Sequence, residues 1–266
     1  LIVIERNYKP NRPGKVFLVG AGPGDPELLT LRAARVLASA DYALHDALVS
    51  AEVLAMASPN TVLEDVGKRC GDRAMRQEQI HARMIELSRA GFSVVRLQGG
   101  DPAIFGRAGE EIAALDQARV DWEIVPGITA ASAAAAAAGI SLTDRRAAGQ
   151  LIFLTGHRAS DAAVEIPCVP PGGATVAIYM PSGSYAEIAQ SFLKSGWRLD
   201  TPCIIVSEAS TPQQRVVQST IGALGACERL PAPAILIVGE TARLSFAVAP
   251  QNEIESSARD FIAAPA

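Results

Sequence analysis

Short runs rich in β-branched residues alternate with longer stretches of helical patterning along almost the whole chain. That alternation restricts the fold to a mostly parallel sheet flanked by helices. Runs at 15–20, 42–45, 61–65, 94–97 and 122–125 predict five strands of one compact α/β unit. A second series at 151–155, 175–180, 203–206, 215–219 and 234–238 predicts a second α/β domain, joined to the first near 139–149. The expected division is an N-terminal tail at 1–14, α/β domains at 15–145 and 146–249, and a C-terminal tail at 250–266. A length of 266 residues gives each domain enough chain to bury its own core.

Charge narrows the possible partners. The formal net charge of -4 offers no wide basic surface for a phosphate backbone, so nucleic acid is not an expected partner. Any anionic ligand must be held by a local cluster of Lys and Arg. The four cysteines, Cys70, Cys168, Cys203 and Cys227, form no C-x-x-C pair, which argues against structural zinc and fits free thiols in a cytoplasmic protein. No signal peptide is evident, and the longest apolar stretch, 128–142, is too short and alanine-rich to span a bilayer. Its alanine run at 130–138 follows Pro126-Gly127 and predicts a tightly packed helix whose small side chains admit a close neighbour.

The first strand runs directly into Gly20-Ala21-Gly22-Pro23-Gly24-Asp25-Pro26. Asp25 as N-cap and Pro26 as first helical residue predict a helix over 27–39. The spacing is G-x-G-x-G rather than G-x-G-x-x-G, and Pro23 lacks an amide donor for a pyrophosphate, so a dinucleotide cofactor is disfavoured even with Asp46 near the ribose-binding distance. A second glycine segment, Gln98-Gly99-Gly100-Asp101-Pro102, follows the fourth strand, and Pro126-Gly127-Ile128-Thr129-Ala130 follows the fifth. In an open α/β sheet ligands bind beyond the carboxyl ends of the strands, so three loops are expected to converge on one site.

Taken with His45-Asp46-Ala47-Leu48-Val49-Ser50, Val66-Gly67-Lys68-Arg69, Phe105-Gly106-Arg107 and Leu154-Thr155-Gly156-His157, these motifs occur in an order that resembles the uroporphyrinogen-III C-methyltransferases of the tetrapyrrole methylase family. The likeness runs from about Lys15 to Val238. It implies the tetrapyrrole methylase fold, two α/β domains with an active-site cleft between them, usually in a homodimer. It also implies two methyl transfers from S-adenosylmethionine to uroporphyrinogen III, giving precorrin-2 and S-adenosylhomocysteine for sirohaem, cobalamin or haem d1 synthesis. The family's cofactor positions fall on Pro23, Gly99, Gly100, Asp101, Ile104, Thr129, Ala130, Met180 and Ala209. Its proton acceptor falls on Asp46 and its proton donor on Lys68, while Arg107 and Glu110 are associated with substrate binding and deprotonation.

Methylation of an electron-rich pyrrole carbon leaves a proton to be removed, which requires a base. Glu110, one helical turn after Arg107, is favoured over Asp46, with Arg107 as its partner and substrate anchor. An ordinary i,i+3 ion pair is the alternative for Arg107 and Glu110, and a turn cap is the alternative for Asp46. A substrate with eight carboxylates gives Lys68, Arg69 and Arg145 something to bind, with Met180 at the same site, and Arg73, Arg76 and Arg146 extend the basic wall. His157 is read as a cap.

The chain departs from the family's usual pattern at His45, Gln98, Ala103, Asp144, Pro181 and Glu208-Ala209-Ser210. A cation lost at Gln98 and an anion gained at Asp144 keep two alternatives open. One is a related methylase acting on another precorrin, a diphthamide intermediate or ribosomal RNA. The other is an adenosylmethionine-binding domain without turnover.

Overall fold

The computed structural model describes residues 13–67, 75–156, 165–168, 173–181 and 184–244, and within them the chain forms two five-stranded sheets. The first contains β1 (Val16–Gly20), β2 (Tyr42–His45), β3 (Val62–Asp65), β4 (Val94–Gln98) and β5 (Trp122–Val125) in the order β3-β2-β4-β1-β5. All its pairings are parallel. Inner strands of such a sheet are covered on both faces, which is why β4 is buried along its whole length and β1 nearly so. Helices α1 (Leu31–Ser39) and α2 (Ala51–Leu54) pack Leu37 and Val53 against Val19, Leu97 and Val125. On the opposite face α3 (Gln77–Arg89) and α4 (Ala108–Gln117) bring Met84 and Leu115 against Leu18 and Leu44.

The second sheet contains β6 (Gln150–Thr155), β7 (Ala174–Tyr179), β8 (Pro202–Ser207), β9 (Arg215–Thr220) and β10 (Ala234–Val238) in the order β6-β7-β10-β8-β9. It corrects the expectation of mostly parallel pairing. Only β6 and β7 are parallel, and the other three pairings are antiparallel. The short turn from Ser207 to Arg215 cannot make a parallel crossover, which needs a dozen residues or more, so β9 folds straight back on β8.

Helix α6 (Tyr185–Lys194) starts at a capping box in which Ser184 Oγ accepts from Glu187 N (3.2 Å) and Glu187 Oε2 accepts from Ser184 N (3.2 Å). It buries Ile188 and Phe192 against Val176, Ile205 and Leu236. The other face of the second sheet receives α5 (Ala130–Ala137), whose Ala131, Ala134 and Ala135 pack on Ala177, Ile204 and Ile237. The alanine run is therefore a helix, and its methyl side chains are what let it lie close against a sheet. It follows β5 in sequence, so it carries the chain from the first sheet onto the second.

The helix expected over 27–39 is split. Asp25 Oδ1 accepts from Glu27 N (2.8 Å) and caps only a single 3₁₀ turn, Pro26–Leu28. Leu29 and Thr30 are extended, and Thr30 Oγ1 accepts from Ala33 N (3.1 Å) to start α1 afresh. The threonine hydroxyl competes for a helical amide and supplies a second N-cap within five residues of the first.

Strands β4, β1 and β5 end side by side, and their exits nearly touch. A Cβ on Gly20 would stand 2.6 Å from both Gly100 O and Gly127 Cα. No real side-chain carbon tolerates that distance from main chain. Gly20→Ala is expected to lower unfolding free energy by about 2 kcal/mol or more, whereas Gly109→Ala, in a helix with nothing within 4 Å of the new methyl, should raise it by up to about 1 kcal/mol. Urea unfolding of the two variants checks both signs.

Candidate active site at the strand ends

The loops leaving β1 and β4 are joined by main-chain hydrogen bonds. Gly22 N donates to Gly100 O (3.2 Å) and Gly100 N donates to Gly22 O (2.7 Å), and both glycines have positive φ. Asp101 ties the loop after β4 to its neighbours, its Oδ1 accepting from Ala103 N (2.8 Å) and its Oδ2 from Gly127 N (3.1 Å). Thr129, the N-cap residue of α5, makes no side-chain cap. Its hydroxyl instead lies 2.6 Å from Tyr179 Oη at the end of β7, which links the two sheets. Burial pushes the Tyr179 phenol above its ordinary range, so it stays protonated and available for this bond.

These elements enclose a pocket. Pro23, Gly99, Gly100, Asp101 and Ile104 line it from the first sheet's loops, Thr129 and Ala130 from the start of α5, and Met180 and Ala209 from the second sheet's loops. All nine positions expected to hold a cofactor thus surround one space. Leu48, Phe105, Tyr179, Val206 and Ile235 complete much of its apolar wall, and the Phe105 and Tyr179 rings lie 4.9 Å apart between centroids. Backbone strain collects here too. Among the described residues six non-glycines have positive φ, and five of them, Phe105, Arg107, Met180, Glu208 and Ser210, line the pocket or adjoin a residue that does. Each costs about 1 kcal/mol or more, and such strain persists where surrounding structure enforces it.

The two candidate bases are placed differently. Asp46, just past β2, lines the pocket, and its Oδ1 accepts from Arg96 Nη2 at 2.6 Å. Glu110 lies on the outer side of α4 in a bidentate pair with Arg107, at 2.8 Å (Nε–Oε1) and 2.6 Å (Nη2–Oε2). Both side chains of that pair are about half exposed, at 53% and 52%, and neither residue lines the pocket. The Arg107 guanidinium holds the Glu110 carboxyl below its ordinary value. The i,i+3 ion pair weighed as an alternative is thus present.

Lys68, Arg69, Arg73 and His157 lie outside the described residues. Arg145 is exposed on the turn before β6 and does not line the pocket. Its neighbour Arg146 pairs with Asp144 (2.9 Å) and holds that carboxyl down to about 2, so the anion gained at Asp144 is neutralised locally. Gln98 is only 2% exposed and donates from Nε2 to Glu111 Oε2 at 2.8 Å. His45 is buried, with Nδ1 3.2 Å from Asp46 O.

Sequence reasoning missed the charges behind Asp46. Arg96, in the middle of β4, donates from Nε to Glu111 Oε1 (3.0 Å), and Glu111 on α4 is fully buried. The signal was an arginine inside an otherwise apolar strand, Val94-Val95-Arg96-Leu97. Tyr179 and Phe105 were also missed. Among the described residues no group of three or more His, Cys, Asp or Glu forms a metal site.

A family model for tetrapyrrole (corrin/porphyrin) methylases matches residues 15–225. The chain belongs to that family. It is 46% identical over 237 residues to the uroporphyrinogen-III C-methyltransferase of Paracoccus denitrificans, covering 87% of this chain and 83% of that protein. The uroporphyrin-III C-methyltransferase of Thermus thermophilus, solved with S-adenosyl homocysteine, superposes with a TM-score of 0.74 at 39% identity, over 87% of this chain and all of that one. A cobalt precorrin-4 methyltransferase superposes with a TM-score of 0.71 at 30% identity, over 86% of this chain and 95% of the other.

The bond between Thr129 and Tyr179 is the polar link from α5 to the second sheet at this pocket. Tyr179→Phe should cost about 1 kcal/mol without a change of fold. Urea unfolding with circular dichroism tests it, and an unchanged midpoint would contradict the link.

Proposed function

We propose that this chain transfers methyl groups from S-adenosylmethionine to uroporphyrinogen III, twice per molecule, giving precorrin-2 and S-adenosylhomocysteine. The observation that carries this reading is the gathering of all nine expected cofactor positions around one pocket with Asp46 on its wall. Higher identity to the uroporphyrinogen-III enzyme than to the precorrin-4 enzyme favours it over another precorrin as substrate.

The residues present suit the cofactor. Gly99 and Gly100 offer main chain without side chains, and a Cβ on Gly99 would already reach within 3.4 Å of Leu48 Cβ. At the start of α5, with no side-chain cap from Thr129, the helix presents a positive end suited to a carboxylate. Ile104, Val206 and Ile235 supply an apolar wall suited to a flat base, and Asp101 adds a carboxylate. When bound, S-adenosylmethionine supplies an electrophilic methyl group on a sulfonium.

The chain's own residues then have two tasks, holding the tetrapyrrole in line and accepting the proton that the methylated ring loses. Helix spacing favours Glu110 as the base, but we assign that role to Asp46. Asp46 faces the pocket, whereas Glu110 faces solvent in its pair with Arg107 and does not line the pocket. Arg107 suits a substrate carboxylate that displaces Glu110, and exposed Arg145 suits a second. Lys68 and Arg69 complete the proposed anchors on the strength of the family resemblance. The same resemblance leads us to propose a cytoplasmic homodimer. No helix among the described residues is long and apolar enough to cross a membrane.

Anaerobic incubation with uroporphyrinogen III and S-adenosylmethionine should give a product heavier by two methyl groups, and an unchanged tetrapyrrole mass would refute the assignment. Asp46→Asn should lower kcat by about 100-fold or more while leaving S-adenosylhomocysteine affinity within about twofold. Glu110→Gln should change kcat by less than about threefold, and the opposite ranking would return the base to Glu110.

A further inference from the structure

The geometry points to Glu111 as a positioning residue that holds Asp46 in place through Arg96. This inference rests on the assignment of Asp46 as the base. Arg96 and Gln98 project from the same face of β4 toward α3 and α4, since alternate residues of a strand share a face. Arg96 is 4% exposed and every nitrogen of its guanidinium is engaged. Nε donates to Glu111 Oε1 (3.0 Å), Nη1 to the carbonyls of Leu44 (3.4 Å) and Leu97 (3.3 Å), and Nη2 to Asp46 Oδ1 (2.6 Å). A planar fork fixed at two of its three nitrogens has no freedom left at the third. The position of the Asp46 carboxylate is therefore set from inside the sheet.

Glu111 is the inner anchor. It has no solvent exposure and takes three side-chain donors, Arg96 Nε, Gln77 Nε2 (3.1 Å) and Gln98 Nε2 (2.8 Å). These come from β4 and α3, so the carboxylate is fixed by elements of the first sheet and its covering helices. Burial pushes the Glu111 carboxyl up against the pull of Arg96. The arrangement is costly, because a buried ion pair is often no more stable than apolar side chains of the same volume. Its outer end, however, is a carboxylate that opens on the pocket, and this gives it a use beyond packing. The Asp46 side chain is 31% exposed, against 5% for Arg96 and 0% for Glu111, so the row runs from the protein interior to the site.

A double-mutant cycle separates this role from a merely structural one. Glu111→Gln keeps the shape of the side chain and should lower kcat about tenfold or more, leaving the KM for S-adenosylmethionine and the affinity for S-adenosylhomocysteine within twofold. In an Asp46→Asn background the same substitution should change kcat by less than twofold, because the group it positions is no longer a base. If the two losses multiply, or if Glu111→Gln alone keeps full kcat, the positioning role is wrong. Should Glu111→Gln fail to fold, Arg96→Lys serves in the cycle, since an ammonium cannot span both carboxylates, and the same non-additivity is expected. Failure of the base assignment reads differently: Asp46→Asn would then retain turnover whatever Glu111→Gln does.

Discussion

The close approach of Gly20, Gly100 and Gly127 is the constraint on which the site depends. Strand order β4-β1-β5 puts the three strand ends side by side, and parallel pairing makes them leave the sheet on the same edge. Their loops can share one floor only if main chain meets main chain, and a Cβ on Gly127 would come within 2.2 Å of Gly100 O. The reciprocal hydrogen bonds of Gly22 and Gly100 then fix the floor without any side chain in the way. What remains above it is an opening bounded by backbone, which a flat ligand can approach closely.

The rest of the pocket is borrowed from the second sheet. Helix α5 leaves the floor immediately after Thr129 and lies on β7, β8 and β10, and its alanine side chains allow that closeness. Tyr179 Oη reaches back to the Thr129 hydroxyl at this pocket, and Asp25 N donates to Ser210 Oγ (3.4 Å) in the adjoining cleft. The strained turns at Met180 and at Glu208 to Ser210 follow from this arrangement, because each must direct its chain over an opening already fixed by the first sheet.

Much of this was legible in the residues. The ten strands among the described residues all fall on short runs read as strands from the sequence, most of them β-branched, because local propensity and burial agree there. The direction of pairing in the second sheet was not legible, since it depends on which strands become neighbours rather than on the strands themselves. The break before α1 was missed because Asp25 and Thr30 are both good caps, and only the extended backbone between them decides which starts the helix. At the site, the motifs pointed to the loops that line the pocket. They gave no sign of Glu111 on α4, where Glu110 and Glu111 are adjacent in sequence yet about 100° apart around the helix, one half exposed and the other fully buried. Burial of an acidic residue depends on a partner from another strand, here Arg96, and no local pattern carries that information.

In this proposal the three strand-end loops and the start of α5 hold the methyl donor, with its carboxylate toward α5 and its base on Ile104, Val206 and Ile235, while Asp46 faces the acceptor. A crystal structure of this chain with S-adenosylhomocysteine and a tetrapyrrole tests it most directly. The expected result places the base against Ile104, Val206 and Ile235, the amino-acid carboxylate at Thr129 and Ala130, and the tetrapyrrole within hydrogen-bonding reach of the Asp46 carboxylate. A ligand seated instead in the wider cleft lined by Ser50, Glu52, Thr211 and Gln213, or a tetrapyrrole with its reacting carbons beside Glu110, would contradict it.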